Sequence, residues 1–433
     1  MLKSWRGHWR AALPVLGVLL VLAAGIALRF VYPADIEWKG EERWTFDHSQ
    51  LMRDGGAWPW VGMPTSLGTQ NPGMSLWVFA GLAALFKVDT PPELARVVAS
   101  LNVIALLSLL IFAFAAFPKE RREPWLWAAA MWAVNPMAVI FERKIWPPCV
   151  LLLGTVAFIA AWRFRHHIAV AFVWGLLGAL MGQIHISAAF FALAVALWTL
   201  LYERRAFPWK GWITGSVIGA LPALPWLLAV LGEGGAGWRW RFPNFTYFLR
   251  WVTQPFGFGI QYALGGSMQD YLKGPELDGH PTYLMALVYV AIAGLLLVIA
   301  IRAIWAAHAA IKMDKRSFWT AFFLGIDSET ILTNATLWGY GGCISFLTVF
   351  GPDTHRHYLI VVAPVLALWA VLAVRYGDRA GGRPRARVIL TALCLGQAML
   401  SAGLLAYIDR TGVIAGDYGA TWSAQQRVSP TPP

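Results

Sequence analysis

Apolar residues occupy this chain in long runs separated by short polar stretches, and the runs are of membrane-crossing size. They lie at 97–117, 125–141, 149–162, 168–184, 186–201, 212–231, 283–304, 332–350, 358–374 and 388–407. An earlier run, 11–31, follows the basic residues Lys3, Arg6 and Arg10. Its 21 residues exceed a signal-peptide core and span a hydrocarbon layer of about 30 Å, so a retained anchor is expected. The pattern predicts an all-α polytopic membrane protein with about 11 transmembrane helices.

The segment 75–88 is too short in its apolar part for a full crossing and reads as a juxtamembrane helix. With it kept out of the membrane, Lys119/Arg121/Arg122, Arg163/Arg165, Arg204/Arg205/Lys210, Arg302/Lys312/Lys315/Arg316 and Arg375/Arg379/Arg383/Arg385/Arg387 all join the N-terminal cluster on one side. That side then holds 20 of the 35 Lys and Arg residues, as the positive-inside rule requires of the cytoplasmic face. Only Glu120, Glu123, Glu203, Asp314 and Asp378 accompany them, so any acid chemistry is expected outside. The expected location is the inner (plasma) membrane, multi-pass, with a cytoplasmic N-terminus and an extracytoplasmic site.

Composition agrees with this assignment, since 58% hydrophobic and 13% charged residues exclude an ordinary soluble domain. The net charge of +12 is spent on clusters between spans, which read as topology signals and headgroup contacts and not as a nucleic-acid surface. Cys149, Cys343 and Cys394 are far apart and offer neither a disulfide framework nor zinc spacing. No internal repeat is visible, which weakens a secondary-transporter reading.

The whole of 1–433 reads as a single transmembrane domain carrying three outer segments: a first loop at 32–94, a large loop at 232–281 and a tail at 408–433. Loops of this length are usually functional. The large loop is rich in aromatics (Trp238, Trp240, Phe242, Phe245, Tyr247, Phe248, Trp251), a composition suited to the headgroup boundary or to stacking on sugar rings. The tail passage Gly416-Asp417-Tyr418-Gly419 is too polar for a membrane element and is expected to fold back over the loops, with Asp417 as a candidate substrate contact. The segment 317–329 reads as an interfacial helix leading into the ninth span, and its Asp327 and Glu329 receive no role. His185, between two spans, reads as buried polar packing.

In the first loop, residues 41–54 form a helical pattern closed by Gly55-Gly56, with Glu41 and Glu42 in its first turn where the helix dipole favours acids. A solvated, well-capped surface helix would look the same. Helical spacing, however, places Glu41, Trp44, His48 and Leu51 on one stripe that faces a cavity if the helix is docked. A turn-rich passage follows, Gly62-Met63-Pro64-Thr65-Ser66-Leu67-Gly68 and Asn71-Pro72-Gly73, ahead of the juxtamembrane helix.

In this arrangement the chain resembles the C-type (GT-C) glycosyltransferases, the superfamily of lipid-A aminoarabinose transferases and protein O-mannosyltransferases. Members carry an Asp-Glu pair in the first outer loop, then a helix, a Gly and an Asn/Pro lead; Glu41-Glu42, Gly55 and Asn71-Pro72 stand there. Glu replaces the usual Asp at 41, which leaves the base open between Glu41 and Glu42. Arg143-Lys144-Ile145-Trp146-Pro147-Pro148 is similar to an Arg-hydrophobic-Trp-x-Pro stretch of bacterial members, and His355-Arg356-His357-Tyr358 resembles their last outer loop.

The resemblance implies a GT-C fold, a polyprenyl-phosphate-linked sugar donor, an inverting transfer, and a lipid, protein or glycan of the cell envelope as acceptor. Glu41 is the first candidate for the base and Glu42 the second. Arg143, Lys144 and Arg356 are candidate cations for the leaving phosphate, with His357, Tyr358 and His48 as further substrate contacts. Glu41, His48, His355 and His357 have donor chemistry suited to a divalent metal, but no close-spaced ligand motif joins them. The rival readings are a transporter or flippase for lipid-linked glycans, which calls for charges along the spans, and a non-catalytic subunit on the same scaffold.

Overall fold

The computed structural model describes residues 17–64, 70–203, 207–232, 240–350, 355–376 and 383–428. Lys3, Arg6, Arg10, Arg204, Arg205, Trp238, Asp378, Arg379 and the Thr65-Ser66-Leu67-Gly68 part of the turn passage lie outside these ranges. Most described residues are helical. Among the described residues, five helices are long and apolar enough to cross a membrane: Pro91–Ala116, Ile186–Glu203, Trp209–Leu231, Leu284–Met313 and Pro384–Thr411. The chain is a multi-pass membrane protein.

The other apolar runs form shorter or interrupted helices, and the interruptions have local causes. Residues 125–141 divide into Lys119–Val134 and Pro136–Phe141, because Pro136 has no N–H to donate and forces Asn135 into an extended conformation. Asn135 then caps the second piece, its side chain accepting from Met137 and Ala138 N–H. Residues 332–350 pass through a π-helical turn, Ala335–Tyr340, between Ser328–Asn334 and Gly341–Leu347. Gly17–Leu28, Leu152–Arg163, Ile168–Ile184 and Ala363–Tyr376 complete the apolar set.

Ile168–Ile184 lies along Trp209–Ala220 with backbones nearly touching: a Cβ on Gly215 would meet the Phe172 carbonyl at 2.0 Å. Small residues permit this approach, as they do between helices in lipid. The short apolar helix Met74–Phe86 packs on the acid-bearing helix Gly40–Arg53 around Met52, Leu76 and Ala80, flanked by Trp44 and Trp77.

One end of the bundle is closed by simple ion pairs. Arg121 meets Glu329 at 2.6 Å, Arg387 meets Glu123 at 2.7 Å, and Arg165 pairs with Glu203. Asp327 caps its helix by accepting from Thr330 N–H at 2.9 Å. The two acids left without a role by the sequence are thus a helix cap and an inter-helix tie. The helix Lys315–Phe323 beside them carries accessible Trp319, Phe322 and Phe323, as an interfacial element does.

At the other end, the segment after the first helix, the loop around residues 254–274 and the C-terminal segment are laced together. Glu37 bridges antiparallel to Thr421, Trp422 N–H donates to the Ile36 carbonyl at 3.0 Å, and Gly266 N–H donates to the Ala415 carbonyl at 2.7 Å. The tail therefore does fold back, between the two loops.

Candidate functional site

The acid-bearing helix begins when the Glu42 carboxylate turns back to accept the Lys39 N–H at 3.0 Å, an N-terminal cap built from the third helical residue. It ends at Gly55, whose φ of +96° suits glycine. Its buried face is Glu42, Thr45, Phe46, Ser49 and Met52, so the second acid of the pair points inward. The stripe of Glu41, Trp44, His48 and Leu51 runs along the flank instead. There His48 stacks on Trp44 with centroids 4.0 Å apart, and its Nδ1 lies 2.8 Å from the Trp44 carbonyl. His48 is set into its own helix, held by the residue one turn back.

Glu42 is fully buried and meets Lys144 Nζ at 2.9 Å; the same ammonium meets Glu37 at 2.9 Å. Lys144, only 3% exposed, completes its surroundings with the Trp146 ring at 4.2 Å. Lys39 also pairs with Glu37. The turn that delivers Lys144 is anchored from below. Asn102 donates to the carbonyls of Glu142 (3.2 Å) and Cys149 (2.9 Å), while the buried Glu142 carboxylate takes Arg29 at 2.7 Å and Trp132 Nε1 at 2.6 Å.

Electrostatics in this cluster is a contest between burial and pairing. Burial pulls the Lys144 ammonium down, but Glu37 and Glu42 outweigh it and hold it raised, so it stays charged. Burial pushes Glu37 up, and Glu42 adds to this, against Lys144 and Lys39. Lys144 was expected at a lipid headgroup; with two carboxylates and an aromatic face around it, it is a pin between acids.

Glu41 differs from its neighbour. Its side chain is reached by solvent, and among the described residues its carboxylate makes no ion pair or hydrogen bond. Protein crowding nonetheless raises it above the ordinary glutamate value, with Glu42 and Asp417 adding to the rise and Lys144 and Lys39 opposing it. It is an accessible carboxylate within electrostatic reach of two lysines.

Arg356 lies against Tyr262. Its guanidinium lies over the Tyr262 ring at 4.4 Å and donates to the Gly259 carbonyl at 3.3 Å, while Nε is buried without a hydrogen-bond partner among the described residues. Burial and then Arg250 hold it below its usual range. The Tyr262 hydroxyl is pushed up to about 12, by burial and then by the Asp417 carboxylate beside it; Arg356 and Lys144 both pull it back. Asp417 in turn accepts Lys39 on its backbone carbonyl and stands 3.6 Å from that ammonium through its carboxylate. Tyr262 and Asp417 therefore connect the acid wall to Arg356.

His357 sits between Trp146 (4.6 Å) and His185 (5.0 Å), with His355 stacked at 5.2 Å. Burial, then the two histidines, hold it well below its ordinary range, so it is neutral. Tyr358 is half-buried, and its carbonyl accepts the Tyr340 hydroxyl at 2.8 Å. His185 is buried, as the sequence implied, and hydrogen-bonds Ser187 at 2.6 Å.

Arg143 faces away from this group. At 4% exposed it donates to the Tyr32 carbonyl at 2.5 Å, near Asp35 and Tyr418, and braces the entry to the first loop. Among the described residues no three His, Cys, Asp or Glu side chains are placed to hold a metal. Of the four suggested by sequence, His48 stacks on Trp44 and the other two histidines form the ring stack. The space between the buried carboxylates is filled by the Lys144 ammonium.

Glu37, Lys39, Tyr262 and Arg250 were not singled out from sequence. For the first two a signal existed: charges alternate through Asp35-Ile36-Glu37-Trp38-Lys39, just ahead of the acid pair. Tyr262 offered none among many loop aromatics.

No family model matches the sequence, and no curated protein matches it. Among solved structures, the fold is similar to that of ArnT from Cupriavidus metallidurans bound to undecaprenyl phosphate. Identity is 17%, over 90% of this chain and 77% of that one, with a TM-score of 0.43. It is also similar to the archaeal oligosaccharyltransferase AglB from Archaeoglobus fulgidus in complex with an inhibitory peptide and a dolichol-phosphate (14% identity, 91% and 56% covered, TM-score 0.41). The apo form of the Archaeoglobus fulgidus oligosaccharyltransferase gives 14%, 92% and 56%, and 0.43. The chain spans just over half the length of the two archaeal proteins.

Proposed function

We propose that this protein is a GT-C membrane glycosyltransferase, which moves a sugar from a polyprenyl-phosphate donor to a cell-envelope acceptor at the extracytoplasmic face, with inversion. One observation carries the reading: an accessible, raised carboxylate at Glu41 lies beside a fixed acid–lysine cluster, whose Lys39 meets Asp417 next to Tyr262 and Arg356.

Glu41 is the general base and Glu42 the fixed acid beside it. The acceptor hydroxyl attacks the anomeric carbon while Glu41 removes its proton; the bond from that carbon to the phosphate oxygen breaks, and its electron pair leaves with the lipid phosphate. A base raised toward the working pH is better matched to this task, and such assistance is worth about 10² to 10⁴-fold. Glu42, bound by Lys144 and the Lys39 N–H, cannot approach a substrate without breaking both contacts.

The lipid phosphate needs positive charge and no general acid. Arg356, with its unpartnered Nε, and the part-exposed Lys39 supply that charge; His357 and Tyr358 line the same wall. The test is sugar transfer by the purified protein in lipid. Glu41→Gln is expected to lower turnover by about 10² to 10⁴-fold and Glu42→Gln to reduce it less; near-wild-type rates in both variants would falsify the assignment.

A further inference from the structure

The C-terminal segment is held on both sides of the site, and this fixes one carboxylate between them. On one side Asp417 N–H donates to the Tyr262 carbonyl at 3.2 Å and Tyr418 N–H to the Ala263 carbonyl at 3.1 Å. On the other, the Tyr418 hydroxyl donates to the Asp35 carbonyl at 2.6 Å and Thr421 bridges to Glu37. The approach is close enough to demand glycine: a Cβ on Gly416 would meet the Leu264 carbonyl carbon at 2.3 Å. Asp417 is thereby placed with little freedom, and its side chain touches Tyr262 and Lys39.

We propose that Asp417 is a positioning residue that sets Arg356, through Tyr262, and Lys39, directly, as the pair of cations for the donor phosphate. This rests on the reading of the site as a lipid-phosphate sugar transferase. A carboxylate beside a phenol makes its ring richer in electrons, which strengthens the hold of the ring on the guanidinium above it. Lys39 divides itself between Glu37 and Asp417, so it stays at the mouth of the cluster at 35% exposed while Lys144 is sealed inside. Asp417 reaches the base as well. The charged groups facing Glu41 are Lys144, Glu42, Lys39 and Asp417, and the last of these disfavours its ionised form.

Two measurements on the full-length protein in nanodiscs test this, neither needing turnover. The first is binding of undecaprenyl phosphate. Asp417→Asn is expected to weaken it about tenfold, Tyr262→Phe by less because it leaves the Lys39 contact intact, and the double variant no further than Asp417→Asn, because the Tyr262 effect runs through Asp417. Unchanged binding in Asp417→Asn, or additive losses in the double variant, would overturn the inference. The second is carbodiimide labelling of Glu41 against pH, read by mass spectrometry. Removing the negative neighbour is expected to move the labelling midpoint to lower pH, a change that a merely structural role would not produce. A midpoint that stays put overturns the inference. Failure of the wild-type protein to bind the lipid phosphate counts against the transferase reading instead, and the labelling result still decides the role of Asp417.

Discussion

The two ends of the bundle use the same residue types to opposite effect. At the end held by Arg121–Glu329, Arg387–Glu123 and Arg165–Glu203, each acid has its own arginine and the sums cancel pair by pair. At the site end one buried lysine serves both Glu37 and Glu42, and Glu41 is left over. Balanced pairs tie helices together. The carboxylate left without a partner has its proton affinity raised by the protein crowded around it, which is the property a base requires.

The difference is breakable. Lys144→Met would leave Glu37 and Glu42 buried without their shared partner. A loss of about 3–5 kcal/mol is expected, since removing one side of a buried pair leaves uncompensated charge. Thermal unfolding in detergent reads this as a large drop in midpoint, or as failure to fold. A drop no larger than that of a surface variant would show the cluster to be solvated.

Arg356→Ala is expected to raise KM for the donor about tenfold, the scale of one charge-assisted contact, with a smaller effect on acceptor KM. Equal effects on both substrates would remove Arg356 from the phosphate. At the opposite end, Glu329→Gln is expected to cost at most about 1 kcal/mol, because Arg121 is half-exposed and screened, and to leave transfer rates unchanged. A loss of activity there would mean that the two ends are coupled.

Much of the helical course is legible in the apolar runs: 168–184 coincides with Ile168–Ile184, and 388–407 lies within Arg383–Thr411. The break at Asn135-Pro136 was visible as a proline but hidden by the apolar residues on either side. The π-turn at Ala335–Tyr340 leaves no mark in periodicity, since it is set by packing.

The site is legible only where its residues are local. Glu41 and Glu42 announce themselves as an acid pair, and Arg356 as a cation among histidines. What binds them together spans the chain: Glu37 meets a lysine 107 residues away, and Lys39 meets a residue 378 away. No local pattern carries such contacts. Helical spacing also leaves open which acid is buried, because the Glu42 cap and the Lys144 pin, the latter set by another segment, decide how the helix sits.

The most direct test is the rate of sugar transfer against pH in the wild-type protein and in Glu41→Gln. Below its raised pKa Glu41 is protonated and cannot accept the acceptor's proton. The wild-type rate is therefore expected to climb with pH along a limb centred above the ordinary glutamate value of 4.5. In Glu41→Gln that limb is expected to vanish and the plateau to fall by about 10² to 10⁴-fold while the fold is kept. A variant that keeps both the limb and the plateau would contradict the assignment of Glu41 as the base.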